Sequence, residues 1–373
     1  MFYLLISRNA FFDNDNKIRS EIVDILSSIK GKDIQVVLVT RSIAKYKSLL
    51  NEQLDNSSQV KYIHRRNISK SALKKNNNIM LIGAVDTDIR IAANNKILMI
   101  NPSWIPNVED NILKYGFELD SVDQLLKCIE IFNIEPELYS DFHIDSSTRL
   151  IAVSNANKFR KLFDNEENMI EIYKSTLKYN NDFYKYALYL HYLTVITGLY
   201  VFEDVDYWMS VPSSTGKNNN NVYDVVKQTR YLMKNQRKEE MFIRHTPAKK
   251  STYMSPADRK RLGCSRHLET IHLNEKYKGK LKGKKICVID DYVTNGSSFE
   301  SIRNLLVKEE VKEVIFLAIG SFAQPYIKEE VDIFGDVFSS GYKFKSKHRE
   351  YLQPEKNAKA QQVVNKIHEI IIQ

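Results

Sequence analysis

One segment constrains this chain more than any other, because an apolar run ends there in two adjacent carboxylates. Residues 284–306 read KKICVIDDYVTNGSSFESIRNLL, and Asp290 and Asp291 directly follow four apolar residues. Burying one unpaired carboxylate is costly, and two neighbouring carboxylates repel each other. We therefore expect a buried strand whose end presents both acids to a ligand.

Small polar residues follow the acidic pair and lead into a helix. They are Thr294, Asn295, Gly296, Ser297 and Ser298. Apolar residues then recur at helical spacing up to Leu306. A loop that opens a helix in this way directs backbone N–H groups and the positive end of the helix dipole toward one point, where a phosphate binds well. Carboxylates beside it accept hydrogen bonds from hydroxyl groups, so the predicted ligand is a sugar phosphate.

This segment resembles the ribose-phosphate signature of type I phosphoribosyltransferases, which has four hydrophobic residues, two acids and a small-residue loop. The resemblance implies that Asp290 and Asp291 position the ribose hydroxyls, with Mg²⁺ held indirectly through the ribose or water. It also implies that residues 294–298 hold the 5′-phosphate of phosphoribosyl pyrophosphate. Thr294 stands where purine-salvage members often carry an Asp, which argues against that subgroup. The alternative interpretation is an ordinary loop with surface aspartates.

A second unit of strand, loop and helix precedes the acidic segment. Residues 207–211 are predicted to form a strand, 212–221 a loop and 222–233 a helix. Ser213 and Ser214 offer hydroxyl groups to a pyrophosphate, and Lys217 offers positive charge. We therefore interpret Lys217 as a catalytic residue at the leaving group and the two serines as substrate-binding residues. A solvated connection is the alternative interpretation.

A basic segment lies between these two units and contains Arg244, Lys250 and Arg259. Long ordered loops often act as lids, and a basic lid suits a leaving pyrophosphate. Together with the loops on either side, the segment resembles the ComF-like, late-competence branch of the phosphoribosyltransferase superfamily, over roughly residues 195–325. The resemblance implies substrate-binding roles for all three residues. A solvated basic loop remains the alternative.

The N-terminal half alternates strand-like and helix-like segments, which indicates a parallel α/β sheet. The arrangement resembles the haloacid-dehalogenase (HAD) fold. Ser7 and Asn9 occupy the positions of its two catalytic aspartates, and a serine hydroxyl is neither a carboxylate nucleophile nor a good Mg²⁺ ligand. We expect a catalytically inactive recognition or regulatory module, in which Thr40 and Asp88 make strand-end hydrogen bonds or, alternatively, ligand contacts.

These segments predict an α/β protein with two parallel-sheet domains, and its length of 373 residues agrees with about two domains. The HAD-like domain is assigned to residues 1–106, a helical connector to 107–194, the phosphoribosyltransferase domain to 195–345 and an amphipathic C-terminal helix to 346–373. That helix is predicted to dock on the body of the protein or on a second subunit, in which case the chain forms a homodimer.

Charge and composition limit the kinds of partner that are expected for this chain. A net charge of +9 favours phosphorylated ligands, and it permits nucleic-acid binding without indicating it. The N-terminus lacks a signal-sequence pattern, and the apolar stretch 186–202 contains His191 and other polar residues that hydrocarbon penalises. We therefore expect a cytoplasmic protein without membrane association. Its three cysteines show neither disulfide nor zinc spacing.

Two classes of function fit these observations. The first is a transferase that uses Mg²⁺ and phosphoribosyl pyrophosphate to modify a nitrogen nucleophile, for which Phe322 and Gln324 are candidate acceptor contacts after the next strand. For Phe322, capping of the core is the alternative role. The second class is a nucleotide or phosphoribosyl-pyrophosphate sensor in a phage-defence, stress or competence system, which binds at the same site without turnover. Release of pyrophosphate distinguishes the two classes.

Overall fold

The computed structural model describes residues 1–54, 59–70, 78–159, 162–179, 181, 184–216, 220–233, 239–248 and 254–372. The chain divides into two units. The first comprises Met1–Ile134 with Tyr231–Lys234, and the second comprises Glu135–Arg230 with Asn235–Gln373. Both units combine helices with β-sheet, so the prediction of an α/β protein with two such domains is confirmed.

Within the described residues, the first unit builds one sheet from six strands. These are β1 (Phe2–Ser7), β2 (Ile34–Thr40), β3 (Val60–His64), β4 (Ile79–Ile82), β5 (Leu98–Pro102) and β6 (Phe117–Leu119). Its helices are α1 (Arg8–Phe11), α2 (Ser20–Ser28), α3 (Ile43–Gln53), α4 (Asp86–Asn95), α5 (Asp110–Tyr115) and α6 (Val122–Phe132). A 3-10 turn covers Arg65–Lys70.

The sheet of the first unit has the strand order β3-β2-β1-β4-β5-β6, and its strand pairs are parallel. Strands such as FYLLIS and IQVVLVT carry apolar residues at consecutive positions, because a parallel sheet is covered on both faces. Strand order reverses between β1 and β4. The carboxyl ends of these two strands therefore flank the crevice where open α/β sheets usually bind ligands.

The part of the chain from Glu135 onward forms the strands of the second unit. They are β7 (Ser140–His143), β8 (Thr148–Asn155), β9 (Tyr207–Ser210), β10 (Phe242–Arg244), β11 (Ile271–Leu273), β12 (Lys285–Val293), β13 (Glu313–Ser321), β14 (Tyr326–Phe334) and β15 (Lys343–Leu352). The helices of this part are α7 (Glu166–Tyr179), α8 (Lys185–Gly198), α9 (Asn220–Leu232), α10 (Pro256–Leu262), α11 (Ser265–Leu268), α12 (Ser297–Lys308) and α13 (Ala358–Ile372). Further 3-10 turns cover Tyr200–Phe202 and Glu275–Tyr277.

The central sheet of the second unit has the order β7-β8-β13-β12-β9. Strands β8, β13, β12 and β9 are parallel, whereas β7 pairs antiparallel with β8. The sheet is therefore mixed, where we predicted a parallel one. The reason is a tight turn between β7 and β8, in which the Asp145 carboxylate accepts hydrogen bonds from the backbone and hydroxyl of Ser147 (2.9 and 3.0 Å).

The structure differs from the predicted domain boundaries. Residues 107–134, assigned to a helical connector, supply β6 and α6 of the first unit, and the rest of that segment supplies β7, β8, α7 and α8 of the second unit. The second unit thus begins at Glu135 rather than at residue 195. Its strand β8, TRLIAVSN, is a short apolar run, and periodicity alone does not distinguish such a run from part of a buried helix.

Helix α8, which covers most of the apolar stretch 186–202, is buried along most of its length. A 3-10 turn follows it. Among the residues that the structure describes, no helix has both the length and the apolar character needed to cross a membrane.

Polar side chains of α12 hold a two-stranded antiparallel ribbon formed by β14 and β15. Glu300 is fully buried and accepts hydrogen bonds from the Glu329 backbone and the Tyr326 hydroxyl, both at 2.7 Å. Asn304 accepts from the Val331 backbone (3.0 Å) and donates to the Glu329 carbonyl (2.8 Å). These side chains satisfy backbone groups of β14 on the edge opposite β15.

The C-terminal amphipathic helix is confirmed as α13, although residues 346–352 of the predicted segment belong to β15. Its apolar face, which includes Val363 and Ile367, is buried. Gln361 Nε2 donates to the Glu166 carboxylate (2.7 Å), which ties α13 to the start of α7. The helix therefore docks on the body of its own unit.

Burial of His191 makes stability depend on pH. His191 lies in α8, hydrogen-bonded through Nδ1 to the Tyr173 hydroxyl (3.0 Å), and burial lowers its pKa to about 4. The unfolded chain, with a histidine pKa of about 6.5, binds this proton more readily. We therefore expect the unfolding free energy to fall as pH decreases from about 6.5 to about 4, by up to about 3 kcal/mol.

Urea unfolding of His191→Gln at pH 7, 6, 5 and 4.5 tests this expectation, since the variant lacks this part of the slope. His143→Gln, which changes an exposed histidine of β7, is the control and keeps the slope. Identical slopes in the wild type and His191→Gln would contradict the assignment.

Candidate functional site

The acidic pair lies at the carboxyl end of β12, as the sequence predicted. Residues 286–289 are fully buried, whereas Asp290 and Asp291 keep only a small part of their surface exposed. Asp290 Oδ1 accepts a hydrogen bond from the Asp291 backbone (2.9 Å), and Asp291 Oδ1 accepts one from the Tyr292 backbone (2.6 Å). Burial first, and then the charge of Asp291, raise the pKa of Asp290 well above its ordinary value. The pair therefore resists carrying two full negative charges.

The small-residue loop after the acids opens α12 at a glycine. Gly296 has φ +83° and its carbonyl accepts the first helical hydrogen bond, from Glu300 (2.8 Å). A Cβ at this position would lie 2.0 Å from the Tyr326 ring, so only glycine fits. The backbone N–H groups of Ser297, Ser298 and Phe299 precede that first bond. They are available at the helix N-terminus, which is the geometry expected of an anion-binding loop.

A chain of side chains orients the two serines of this loop. Arg266 Nη2 donates to Ser297 Oγ (2.9 Å), which places a guanidinium beside the helix N-terminus. His267 lies between Arg244 and Ser298, with Nδ1 3.3 Å from Arg244 Nη2 and Nε2 3.3 Å from Ser298 Oγ. Arginine only donates, so His267 Nδ1 accepts and its Nε2–H donates to Ser298. The Ser298 hydroxyl proton is then left to donate to another acceptor.

The loop after β9 lies beside the acidic pair. Val211 continues the pairing of β9 with β12 through a 2.9 Å hydrogen bond to the Ile289 carbonyl, so Ser213 and Ser214 follow at the neighbouring strand end. The Ser214 carbonyl accepts from the Ala248 backbone (2.8 Å). The predicted strand and the predicted loop are thus brought to the same sheet edge as Asp290.

Arg244 holds this loop in place. Its Nε donates to the Ser213 carbonyl (2.6 Å) and its Nη1 to Thr270 Oγ1 (2.5 Å), while Nη2 lies 3.4 Å from the Pro212 carbonyl. Burial, followed by the charge of Arg266, lowers the pKa of Arg244 to about 10. The sequence predicted a substrate-binding residue, but the observed hydrogen bonds give Arg244 a positioning role.

Several predicted residues lie elsewhere or outside the described part of the chain. Lys217 and Lys250 fall outside it, and Arg259 belongs to α10 although its side chain is not among those described. Phe322 is half-buried after β13, with its ring centroid 5.7 Å from that of Tyr292. Gln324 is exposed.

Sequence reasoning missed a lysine at the acidic pair. Lys178, in the last turn of α7, forms an ion pair with Asp291 Oδ2. Its Nζ also lies 5.5 Å from the centroid of the Tyr292 ring. That ring packs over Gly320, where a Cβ would lie 2.8 Å from it. A lysine 113 residues away in the chain carries no local signal that would assign it to this site.

The crevice of the first unit contains the other predicted residues. Ser7 and Thr40 are buried at the ends of β1 and β2, and Thr40 Oγ1 accepts from the Ser42 backbone (3.1 Å). The buried Asp88 carboxylate accepts from the Ala84 and Val85 backbones (3.1 and 3.3 Å) and lies 4.0 Å from Arg65 Nη2. Burial raises the pKa of Asp88, although the Ser7 hydroxyl beside it acts in the opposite direction. Asp88 therefore caps its own helix.

The sequence resemblance implies Mg²⁺ at the acidic pair. Carboxylate oxygens suit this ion, and it usually keeps several waters and binds through substrate phosphates. One oxygen of Asp291 is already paired with Lys178, so the pair fits an ion held through ligand hydroxyls and water. In the described ranges, no group of three or more His, Cys, Asp or Glu side chains is arranged to hold a metal ion.

Comparisons with known proteins return no match for this chain, either among family models or among curated proteins.

The close approach of Gly296 to Tyr326 gives a test of the loop. We expect Gly296→Ala to destabilise the second unit by about 2–4 kcal/mol, because the new Cβ is strained at positive φ and overlaps the Tyr326 ring. Gly279→Ala is the matched control, since Gly279 has φ +70° but open space around it. Its cost should be about 1 kcal/mol. Urea unfolding monitored by Trp208 fluorescence in a Trp104→Phe background gives both values, and equal costs would contradict the packing described.

The contacts of His267 with Arg244 and Ser298 predict that this histidine stays neutral where an ordinary histidine gains a proton. Burial, and then the charges of Arg266 and Arg244, lower the pKa of His267 well below its ordinary value. We expect its imidazole to stay neutral at pH 6, with the proton on Nε2. Two-dimensional NMR of ¹⁵N-histidine-labelled protein, assigned with His267→Gln, measures both properties. Titration of His267 near pH 6.5, or a proton on its Nδ1, would contradict the hydrogen bonds assigned to it.

Proposed function

We propose that the second unit is a phosphoribosyltransferase-type domain that binds phosphoribosyl pyrophosphate. The observation that supports this proposal best is the position of Asp290 and Asp291 at the end of a central strand, directly before the glycine loop that opens α12. The loop after β9 ends beside the same acids. One sheet edge thus combines hydroxyl acceptors with backbone and side-chain donors for two phosphate groups.

Each part of the ligand has a proposed partner. Asp290 and Asp291 accept hydrogen bonds from the ribose hydroxyls and fix the ring. The N–H groups at the start of α12, with the hydroxyls of Ser297 and Ser298, bind the 5′-phosphate, and Thr294 and Asn295 border it. Arg266, which contacts Ser297, adds positive charge at this end. Ser213 and Ser214 face the pyrophosphate.

The proposed reaction is displacement at C1 of the ribose. A nitrogen nucleophile forms a bond to C1 while the bond from C1 to the pyrophosphate oxygen breaks, and the proton of the nucleophile passes to solvent. Bound Mg²⁺ would supply charge neutralisation on the pyrophosphate. The chain's contribution is to hold the ribose and both phosphate groups in one geometry, which lowers the entropic cost of the displacement. Lys217, Lys250 and Arg259 remain proposed contacts of the leaving group.

A second candidate function is a sensor or regulator that binds the same ligand without turnover. The observation that favours it is in the first unit, where Ser7 and Asn9 replace the acids of a HAD-type catalytic pair, and Asp88 is engaged with its own helix and Arg65. We propose that this unit is an inactive HAD-like module. Attachment of such a module to a binding site suits regulation in a defence, stress or competence system.

Replacement of the acidic pair tests the central claim. We expect Asp290→Asn with Asp291→Asn to weaken binding of Mg²⁺-phosphoribosyl pyrophosphate at least about tenfold, because the ribose hydroxyls lose charged acceptors. Isothermal titration calorimetry on the full chain measures the affinity. Glu203→Gln with Asp204→Asn, an exposed adjacent acidic pair of the same unit, is the matched control and should leave the affinity unchanged.

A pyrophosphate-release assay with pooled nucleobases and amines then separates the two candidates. Binding with release supports the transferase, and binding without release supports the sensor. Unchanged affinity in a folded double variant would overturn the proposed ribose site, and so would the absence of any binding to the wild type.

A further inference from the structure

Lys178 reaches the acidic pair from a different part of the second unit. It lies in the last turn of α7, and its ammonium is paired with Asp291 on β12. The Asp291 side chain is 13% exposed and that of Lys178 is 45% exposed. The acid is therefore largely enclosed, and the lysine approaches it from the solvent side.

The other lysines near Lys178 have different partners. Lys174, one turn earlier on the same helix face, pairs with Glu171 of its own helix (3.4 Å), and Lys158 pairs with the same glutamate (3.4 Å). Lys178 instead crosses to the strand end and lies over the Tyr292 ring. The position of the Lys178 side chain is therefore set by two residues of β12, Asp291 and Tyr292, and not by its own helix.

The pairing changes the charge that the site offers to a cation. Two ionised carboxylates attract a divalent ion strongly, but an ammonium in contact with one of them offsets part of that charge. In this arrangement the Lys178 ammonium offsets the charge of one of the two carboxylates of the acidic pair without a metal ion.

We propose that Lys178 is the resident counter-cation of the acidic pair and competes with divalent cations for Asp291. The part of this inference that concerns phosphoribosyl pyrophosphate rests on the proposed function. Lys178 then lies next to the ribose and pyrophosphate of phosphoribosyl pyrophosphate, and its ammonium supplies part of the charge that Mg²⁺ would otherwise supply. Lys178 is thereby a specificity-determining residue that makes ligand binding less dependent on a divalent ion.

Titration with Mn²⁺ alone tests the competition. We expect Lys178→Gln to bind Mn²⁺ about five- to tenfold more tightly than the wild type, measured by the free Mn²⁺ signal in electron paramagnetic resonance, since a partly exposed charge is removed. Lys174→Gln is the matched control and should match the wild type. Adding Asp291→Asn to Lys178→Gln should abolish the gain. Equal Mn²⁺ affinity in Lys178→Gln and the wild type would overturn the proposal.

Calorimetry with phosphoribosyl pyrophosphate tests the consequence for the ligand. With EDTA present, we expect the wild type to keep measurable affinity and Lys178→Gln to lose at least fivefold, while saturating Mg²⁺ brings the two proteins to within twofold. An equal loss with and without Mg²⁺ would overturn the competition. If the wild type binds no phosphoribosyl pyrophosphate under any condition, the proposed function fails, and the Mn²⁺ titration still decides the role of Lys178.

Discussion

A buried carboxylate, Glu300, is the constraint on which the second unit depends. It has no exposed surface, and Arg303, the Tyr326 hydroxyl and the Glu329 backbone all donate to it. Removing Arg303 would leave the Glu300 carboxylate buried without a compensating charge. That loss destabilises a fold far more than formation of the ion pair stabilises it. Through these bonds Glu300 fixes Tyr326 beneath Gly296 and sets the first turn of α12. The loop at Gly296 is thus positioned by a side chain that is itself fully buried.

Side chains also position the other loop of the site, which follows β9. Arg244 bonds to the carbonyl of Ser213 in the loop after β9 and contacts His267, which contacts Ser298 at the start of α12. Two loops on adjacent strands are therefore joined by side chains as well as by the sheet. Buried polar networks of this kind specify one arrangement when they are fully satisfied. The geometry of the two loops, which we propose bind phosphate groups, is consequently coupled through side chains of the protein.

The sequence predicted the parts of this arrangement that are local. The acidic strand end, the glycine loop, α12 and the α/β class follow from patterns within a few residues, as do the strand and loop around Ser213. The predicted helical connector differs from the structure, because the apolar run of β8 is short enough to suit either a strand or part of a buried helix. Lys178 and His267 could not be identified, since each acts on a residue far along the chain. Arg244 was recognised as important, but its burial and its acceptors depend on tertiary packing.

The packing of Tyr292 over Gly320 also limits how this site can change during evolution. A side chain at position 320 would collide with the tyrosine ring, so a larger residue there becomes acceptable only after position 292 has become smaller. The reverse order passes through a poorly packed intermediate. Tyr292 also borders Lys178 and directly follows Asp291. Changes at position 320 and changes in the charge around Asp291 are therefore linked through Tyr292.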